Sequence, residues 1–339
     1  MIEIDGSFGE GGGQILRTAI AFSALTQEPV RIFNIRAKRQ PSGLKAQHLT
    51  AVNAIRKLCD AEVSGNEIGS REIFFRPKEI KNENFSINVG TAGAITLVLQ
   101  ALMIPAINIE KKISVHLKGG TDVRWSPTID YLRFVALPLL KKFGYNAEIF
   151  LEQRGYFPEG NGRVSVEFSP MKLKRIELTE LGKILSLEGI SNAHHALEKR
   201  NVARRQERTA RTLLYNELCR INPELNVDIK QEYCNALSYG SALTLWIKTE
   251  NSILGSCAVG EKNKSSEIVA QEASKILLEE LSLNAVIDRH MADQIVPYLA
   301  IAKGEVLTSK ITEHTKTNVA IVNKFGFNVK ILDKKILSE

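Results

Sequence analysis

One unit recurs along the chain and limits its fold more than any other feature. The unit is a short alternating strand, a glycine-rich or basic loop, and a helix with apolar residues at helical spacing. In residues 2–25, IEID precedes a glycine-rich turn and QILRTAIAFSAL supplies the helical period. The same order returns in residues 29–58, 86–103 and 113–140. The spacing is that of a weak internal repeat rather than a solenoid, which favours a mixed α and β fold built from similar modules.

The pattern of residues along the chain changes near residue 180. From Ile184 to about Glu279 the glycine-rich turns disappear, and a long charged segment, HHALEKRNVARRQERTARTLLYNEL, is predicted to be helical. The pattern seen before residue 180 resumes at DRHMADQIVPYLAIAKGE. At 339 residues the chain is long enough for about two domains. We therefore predict a smaller domain over 184–279, inserted into a large domain formed by 1–183 and 280–339.

Composition sets broad limits on function. The excess of 45 Lys and Arg over 38 Asp and Glu gives a net charge of +7, which favours polyanions if it is gathered on one face. Four scattered cysteines with no Cys-x-x-Cys pair suggest neither a zinc site nor a disulfide framework, so a cytoplasmic setting is expected. No secretory signal and no membrane span is expected, because the longest apolar run, ITLVLQALMIPAI, is too short to cross a bilayer. This run is predicted to be a buried helix.

Two loops ahead of helices could bind anions. Glycines in GSFGEGGGQILR, residues 6–17, would let backbone N–H groups approach a phosphate, although the loop is neither a P-loop nor Gly-x-Gly-x-x-Gly. Glu10 adds a possible metal ligand and Arg17 a phosphate fork. The second loop, RAKRQPSGLKAQH, leads into a helix with Arg36, Lys38, Arg39, Lys45 and His48, and its four cations could contact phosphates. A tight turn and a solvated basic loop are the structural alternatives.

Other segments are less informative by themselves. RGYFPEGNGRV, residues 154–164, predicts a turn. In RHMADQIVP, His290, Asp293 and Gln294 share one helix face and could hold a nucleotide or a metal, or form a hydrated helix end that Pro297 closes. His194 and His195 are predicted to lie on the solvated face of the charged helix.

His314 is the remaining candidate. Neutral imidazole can attack phosphorus and form a labile phosphoramidate, provided that a hydrogen bond fixes its second nitrogen. Thr315, Thr317 and Asn318 could orient the ring. Taken alone, a single histidine of this kind is more often a structural or surface residue.

In their order along the chain, these motifs resemble the RNA 3'-terminal phosphate cyclase family. The resemblance rests on the segments DGSFGEGGGQILRTA, NIRAKRQPSGLKAQHLTAV, GTAGAITLVLQ, GGTDVRWSPTIDYL, RGYFPEGNGRV, HMADQ and EHTKTN. One departure is Gly160-Asn161-Gly162, where the family has three glycines. The resemblance implies a large domain of three βαβαβ-type modules like the C-terminal domain of a translation initiation factor, with a smaller α/β domain inserted.

The resemblance also implies an activity. ATP would adenylylate His314, AMP would pass to the 3'-phosphate of an RNA, and the 2'-hydroxyl would displace AMP to form a 2',3'-cyclic phosphate. The implied partners are ATP, a divalent metal (Mg²⁺ or Mn²⁺), RNA with a 3'-terminal phosphate and a possible second copy of the chain in a homodimer. The implied site residues are Gln100, Pro127, His290, Met291, Ala292, Asp293 and Gln294 for ATP or AMP; Gln14, Arg17, Arg36, Arg39 and Gln47 for phosphate or RNA; and Glu10 for the metal.

Three other functions are weighed against this one. A non-catalytic relative that acts in ribosome assembly lacks the nucleophilic histidine, which this chain has as His314. Enolpyruvyl transferases resemble the family in their repeated module but form no nucleotide adduct. The Lys-x-Asp-Gly signature of lysine-dependent nucleotidyl ligases is absent from the sequence.

Overall fold

A computed structural model describes residues 1–9, 11–90, 92–218, 220–222 and 224–339. The first module contains β1 Ile2–Asp5, α1 Gly13–Thr26, β2 Val30–Phe33, α2 Ala46–Cys59, β3 Glu62–Ser64 and β4 Ile73–Arg76. The second contains β5 Phe85–Asn88, α3 Ile95–Met103, β6 Ile113–Gly119, α4 Ile129–Tyr131, α5 Leu137–Lys141, β7 Ala147–Gln153 and β8 Gly162–Phe168. A π-helical turn, Leu132–Ala136, joins α4 to α5, and a 3₁₀ turn, Pro105–Asn108, follows α3.

The rest of the chain holds a third module and the segment that interrupts it. Its elements are β9 Ile176–Leu178, β10 Ile184–His194, α6 Val202–Leu218, β11 Asn226–Cys234, β12 Ser241–Thr249, β13 Ile253–Val259, α7 Ser266–Ser282, α8 Arg289–Ala302, β14 Gly304–Leu307, α9 Glu313–Lys324, β15 Val329–Leu332 and β16 Lys335–Ser338. A short 3₁₀ helix, His195–Arg200, lies between β10 and α6.

Among the four sheets formed by the described residues, three have the same strand order. They read β1-β2-β4-β3, β5-β6-β8-β7 and β9-β14-β16-β15, and in each the first two strands are parallel while the others pair antiparallel. The predicted mixed α and β fold of repeated modules is therefore confirmed. The predicted βαβαβ unit is one strand short, because each module ends in two antiparallel strands, one of which can be only three residues long.

The main core lies between these sheets and their helices. Strand alternation buries Ile4 and Ile32, which are paired across β1 and β2, and the apolar face of α1 packs over them. The buried helix predicted in ITLVLQALMIPAI is confirmed over Ile95–Met103 as α3, whose buried residues join the same core. The end of the predicted segment is the 3₁₀ turn that begins at Pro105. Within the described ranges, no helix has both the length and the apolar character needed to cross a membrane.

The interrupting segment has a core of its own. The sheet β11-β10-β12-β13 packs against α6 and α7, and the buried cluster includes Leu187, Leu214, Leu245 and Leu277. Its strand β10 begins at Ile184. The domain limits 184 and 279 stay a prediction.

Two expectations about helices are wrong. His194 ends β10 and His195 begins the 3₁₀ helix, so neither lies in the charged helix, which starts at Val202. Pro297 does not end its segment, because α8 continues through it to Ala302.

Asn161 stands where the family pattern has a glycine, and it fits the turn. Its φ is +60°, and Asn tolerates this left-handed region better than most residues.

Candidate active site

The two loops predicted to bind anions meet at one edge of the first sheet. Strands β1 and β2 are parallel neighbours, so their carboxyl ends and the loops that follow them lie side by side. The Nζ of Lys38 donates to the carbonyl oxygen of Gly9 across 2.9 Å, which fastens the basic loop to the glycine-rich loop. The helices α1 and α2 begin directly after these loops.

His48 lies at the centre of a group of cations. Burial, followed by the charges of Arg17, Arg36 and Lys45, lowers the pKa of His48 to about 3, so its ring is neutral at pH 7. The backbone N–H of Lys45 donates to Nδ1 of His48 at 3.1 Å, which leaves the proton of the neutral ring on Nε2. A Cβ at Gly13 would lie 2.1 Å from that Nε2 atom, so a glycine is required at the start of α1.

Arg17 has the properties of an anion-binding residue. Desolvation lowers the pKa of its guanidinium to about 10, which still leaves it charged at neutral pH. Among the residues that the structure describes, no carboxylate forms an ion pair with Arg17 or Arg36. The first N–H groups of α1 have no side-chain cap, because Gly12 occupies the N-cap. Uncapped N–H groups beside a desolvated arginine suit a phosphate.

Arg36 has a mainly structural set of contacts. Its Nη1 atom donates to the carbonyl oxygens of Pro41 at 2.7 Å and Gly43 at 3.0 Å, which closes the basic loop on itself. Its backbone is in the left-handed region, with φ of +54°. Desolvation, followed by the charge of Arg39, lowers the pKa of Arg36. Within the described residues only Nη1 of this guanidinium makes hydrogen bonds, so its other N–H groups can donate to a ligand.

His314 lies in the first turn of α9, where its side chain is half-buried. Thr312 caps this helix, because its hydroxyl oxygen accepts from the N–H of Thr315. The hydroxyl oxygen of Thr315 in turn accepts from the N–H of Thr312. The same two hydroxyls donate to Oδ1 of Asp293 at 2.5 and 2.6 Å. Burial raises the pKa of Asp293, while these hydrogen bonds and the charges of His314 and His290 oppose the shift.

Asn318 joins three helices. Its Nδ2 donates to the carbonyl oxygen of Asp293 at 2.7 Å, and its Oδ1 accepts from the hydroxyl of Thr18 in α1 at 2.8 Å. The Asp293 carbonyl is the one that Pro297, four residues later, cannot satisfy. The polar atoms of Thr315 and Asn318 hold α9 against α8 and α1. That Thr315, Thr317 and Asn318 orient the imidazole stays a prediction.

The glycine-rich loop lies against the same helix. Gly9 has φ of +55°, and a Cβ there would lie 2.7 Å from the hydroxyl of Thr317, one turn after His314. Together with the bond between Thr18 and Asn318, this contact places the start of the first module beside α9 of the third. The structure thus brings the glycine-rich loop, Arg17 and the His314 helix together.

The other predicted site residues lie in various surroundings. Met291 and Ala292 have fully buried side chains, so only their backbone could reach a ligand. His290 is exposed and contacts the Tyr131 ring edge-on, and Gln294 donates to the His290 carbonyl at 3.1 Å. Gln14, Gln47, Gln100 and Pro127 are partly exposed, and Arg39 is exposed. Glu10, the predicted metal ligand, lies outside the described residues.

One polar network was not foreseen in the sequence, where its arginine was assigned only to a turn. Arg154 is 3% exposed and pairs with Asp122 at 3.2 Å, Asp130 at 2.7 Å and Glu232 at 2.7 Å. Burial raises the pKa of Asp122 to about 6, although Arg154 opposes the shift. Because Glu232 lies in β11 and the other carboxylates follow β6, Arg154 ties the inserted sheet to the second module.

Comparison with known proteins covers nearly the whole chain. The family model described as RNA 3'-terminal phosphate cyclase matches residues 8–331. A protein of that name from Ignicoccus hospitalis is 46% identical over 333 residues, covering 96% of this chain and 92% of the relative. Those from Hyperthermus butylicus and Staphylothermus marinus are 44% and 45% identical, covering 95% and 98% of this chain and 90% and 94% of the relatives. The chain therefore belongs to the RNA 3'-terminal phosphate cyclase family.

Proposed function

We propose that this chain converts the 3'-phosphate of an RNA to a 2',3'-cyclic phosphate at the expense of ATP. The observation that carries the proposal is the contact of the glycine-rich loop and of α1, the helix that contains the desolvated Arg17, with α9, where His314 occupies the first turn. A phosphate-binding surface and a nucleophile able to attack phosphorus thus lie on elements that contact each other. Cytoplasmic location and a homodimer stay predictions.

In the first step, an imidazole nitrogen of His314 attacks the α-phosphorus of ATP. A P–N bond forms, the P–O bond to the leaving group breaks, and pyrophosphate departs. Negative charge on the phosphate oxygens would be stabilised by Arg17, by the free guanidinium N–H groups of Arg36 and by the uncapped start of α1. His48, which stays neutral, can donate its Nε2–H to the same region without adding charge.

In the next two steps the adenylyl group moves to RNA and is displaced. An oxygen of the RNA 3'-phosphate attacks the adenylyl phosphorus and frees His314, and the adjacent 2'-hydroxyl then attacks the activated 3'-phosphorus. AMP leaves and the cyclic ester remains. We assign Arg39, Gln14 and Gln47 to the phosphate or RNA, and Gln100, Pro127 and residues 290–294 to the nucleotide. Asp293 acts as a positioning residue, because its carboxylate holds the capped turn that carries His314.

The donor set suits the triphosphate of ATP. The cations around His48 are Arg17, Arg36 and Lys45. Within the described residues no carboxylate is paired with them, so a bound phosphate would not have to displace one. Those residues also contain no group of three or more His, Cys, Asp or Glu side chains able to hold a metal. Mg²⁺ is often held by one carboxylate and the substrate phosphates, so we keep Glu10 as its proposed ligand. A bound Mg²⁺ or Mn²⁺ would add positive charge at the phosphate oxygens.

The test is adduct formation with ATP labelled at the α-phosphate, in Mg²⁺ or Mn²⁺, followed by denaturing electrophoresis. We expect a labelled, acid-labile and alkali-stable band that falls to background in His314→Ala, because the P–N bond cannot form. His116→Ala is the matched control, since His116 is an exposed histidine on β6 and should label like the wild type.

Two outcomes contradict parts of this proposal. A band of undiminished strength in His314→Ala would refute the assignment of the nucleophile. If the folded wild type forms no adduct and does not cyclise an RNA 3'-phosphate, the non-catalytic RNA-binding function becomes the better explanation.

A further inference from the structure

Trp125 is displayed on the surface in an unusual way. Its side chain is 92% exposed, and its backbone has φ of +60°, a region that bulky residues rarely adopt. The guanidinium of Arg124 lies 5.7 Å from the centre of the indole ring, and Arg124 is itself ion-paired with Glu261. A strained residue held in one place is more consistent with a binding role than with a passive loop.

Two more aromatic rings extend from the same group of loops. Phe157 is 74% exposed and Tyr239 is 72% exposed. The loop of Phe157 is joined to that of Trp125 because the N–H of Thr121 donates to the carbonyl oxygen of Gly155 at 2.9 Å. It is joined to the loop of Tyr239 because the N–H of Glu159 donates to Oγ of Ser238 at 3.0 Å.

Cations continue this surface onto the inserted segment. The ring of Tyr239 packs edge-on against His194, and Nδ1 of His194 accepts from the N–H of Ala196 at the start of the 3₁₀ helix that ends at Arg200. The exposed Arg204 and Arg208 follow, one turn apart on α6.

These three arginines differ from their neighbours in their ion pairs. In the described part of the chain, Arg200, Arg204 and Arg208 have no carboxylate within ion-pair distance. Arg205 pairs with Glu267 at 2.7 Å, and Arg211 pairs with Glu207 at 2.5 Å. Each unpaired guanidinium can therefore meet an external anion without first breaking an internal bond.

We propose that a basic-aromatic surface binds the single-stranded RNA that leads to the reacting 3' end. It is formed by Trp125, Phe157, Tyr239, Arg200, Arg204 and Arg208. Exposed rings offer faces on which bases of any sequence can stack, and unpaired arginines suit phosphates. This combination favours RNA over an acidic protein, which has carboxylates but few flat bases. The inference rests on the proposed function for the identity of the substrate, and it gives the inserted segment a role in holding RNA.

The test measures binding of fluorescent single-stranded RNA of about 20 nucleotides with a 3'-phosphate, without ATP, by anisotropy over a range of salt concentrations. Arg204→Gln with Arg208→Gln should raise the Kd about tenfold and reduce the slope of log Kd against log salt by about 2. Phe157→Ala with Tyr239→Ala should raise the Kd about tenfold and leave the salt slope unchanged. All these side chains are exposed, and circular dichroism verifies folding.

The matched control is Lys172→Gln with Lys174→Gln, which removes the same charge from exposed residues. These lysines follow the end of β8 that is opposite the Phe157 turn, so the Kd and the salt slope should equal those of the wild type. Unchanged binding in both surface variants overturns the inference, as does a wild type that binds no RNA. A change in self-association, without a change in RNA binding, would instead identify a surface for a second copy and also overturns it.

Labelling of the wild type with ATP, measured without RNA, reports the proposed function independently. If no adduct forms but the surface variants lose RNA affinity, the proposed chemistry fails and the surface stands. If the adduct forms and the variants bind RNA normally, the surface fails and the chemistry stands.

Discussion

His48 is buried among positive charges that come from the basic loop and from α1. The sequence places it beside the four cations of the basic loop but does not indicate its protonation state. In the fold, burial and the nearby Arg17 and Arg36 keep its ring neutral. The sequence places these residues on two separate loops, and only the pairing of β1 with β2 brings the charges together.

A neutral buried histidine makes stability depend on pH. Between the ordinary pKa of 6.5 and the folded value of about 3, the unfolded chain binds a proton at His48 that the folded chain does not. Stability should therefore fall on acidification below pH 6.5 by up to about 1.4 kcal/mol per pH unit. In His48→Asn, whose side-chain oxygen can replace Nδ1 as acceptor, we expect a flatter dependence in denaturant unfolding between pH 4 and 7.

The quantity to compare is the slope of the unfolding free energy against pH in the wild type and in His48→Asn. Asp122, with its raised pKa of about 6, contributes to this slope with the opposite sign, because its protonation in the fold stabilises the protein as the pH falls. His195→Asn, an exposed histidine, should retain the wild-type slope. A slope in His48→Asn equal to that of the wild type would mean that His48 is not held neutral.

Helix α8 illustrates how a local rule is overridden by packing. A proline usually ends a helix, which is the basis of the prediction for Pro297. Here the carbonyl that the proline leaves unbonded, that of Asp293, accepts instead from Asn318 of α9. Because the compensating donor lies 25 residues away, nothing within the α8 sequence reports it. By contrast, the apolar periods of α1 and α3 are local and are read correctly from the sequence.

This bond predicts a coupling between Asn318 and Pro297. Asn318→Ala should destabilise the protein by about 1–3 kcal/mol, because it leaves the Asp293 carbonyl and the Thr18 hydroxyl without partners. In a Pro297→Ala background the restored N–H can bond to that carbonyl, so the same change should cost less. The measurement is a double-mutant cycle from denaturant unfolding.

Asn323→Ala is the control for this cycle. Asn323 lies on the same helix and bonds to the backbone of Val329 in β15 rather than to the Asp293 carbonyl. Its replacement should cost the same in both backgrounds. Equal costs for Asn318→Ala in the two backgrounds would show that the proline and the amide are not coupled.

On the scale of the whole molecule, Arg154 joins the second module to the inserted sheet, and no pattern in the sequence indicates this contact. It comes from a segment assigned to a turn. Its carboxylate partners come from the turn after β6, from α4 and from the inserted sheet. The repeated modules themselves can be predicted, because each has the same local order. The short strands β3 and β9 cannot, since three residues give too little alternation to distinguish a strand from a loop.

Removing Arg154 should be costly. In Arg154→Met the buried Asp122 loses its cation and Asp130 keeps only Arg133, at 3.0 Å; removing one partner of a buried ion pair typically costs about 3–5 kcal/mol. The decrease in Tm should be largest above pH 6 and smaller near pH 5, because a protonated Asp122 carboxyl group needs no counter-charge. Thermal unfolding at several pH values measures both effects.

Arg163→Met provides the comparison for this change. Arg163 is exposed and lines the same cleft as Arg154, so its loss should leave the Tm nearly unchanged. Equal and small effects of the two substitutions would mean that the buried network does not hold the inserted sheet to the second module.

The interruption of the third sheet has a consequence for the order in which the chain is made. Ile176 of β9 pairs with Gly304 of β14, a separation of 128 residues (304 − 176). At a synthesis rate of roughly 5–20 residues per second, β9 leaves the ribosome about 6–26 s before its partner. The first two sheets and the inserted sheet can close during that interval. The helix that carries His314 follows β14, so the proposed nucleophile is made after the whole of the surface that we propose to bind phosphate.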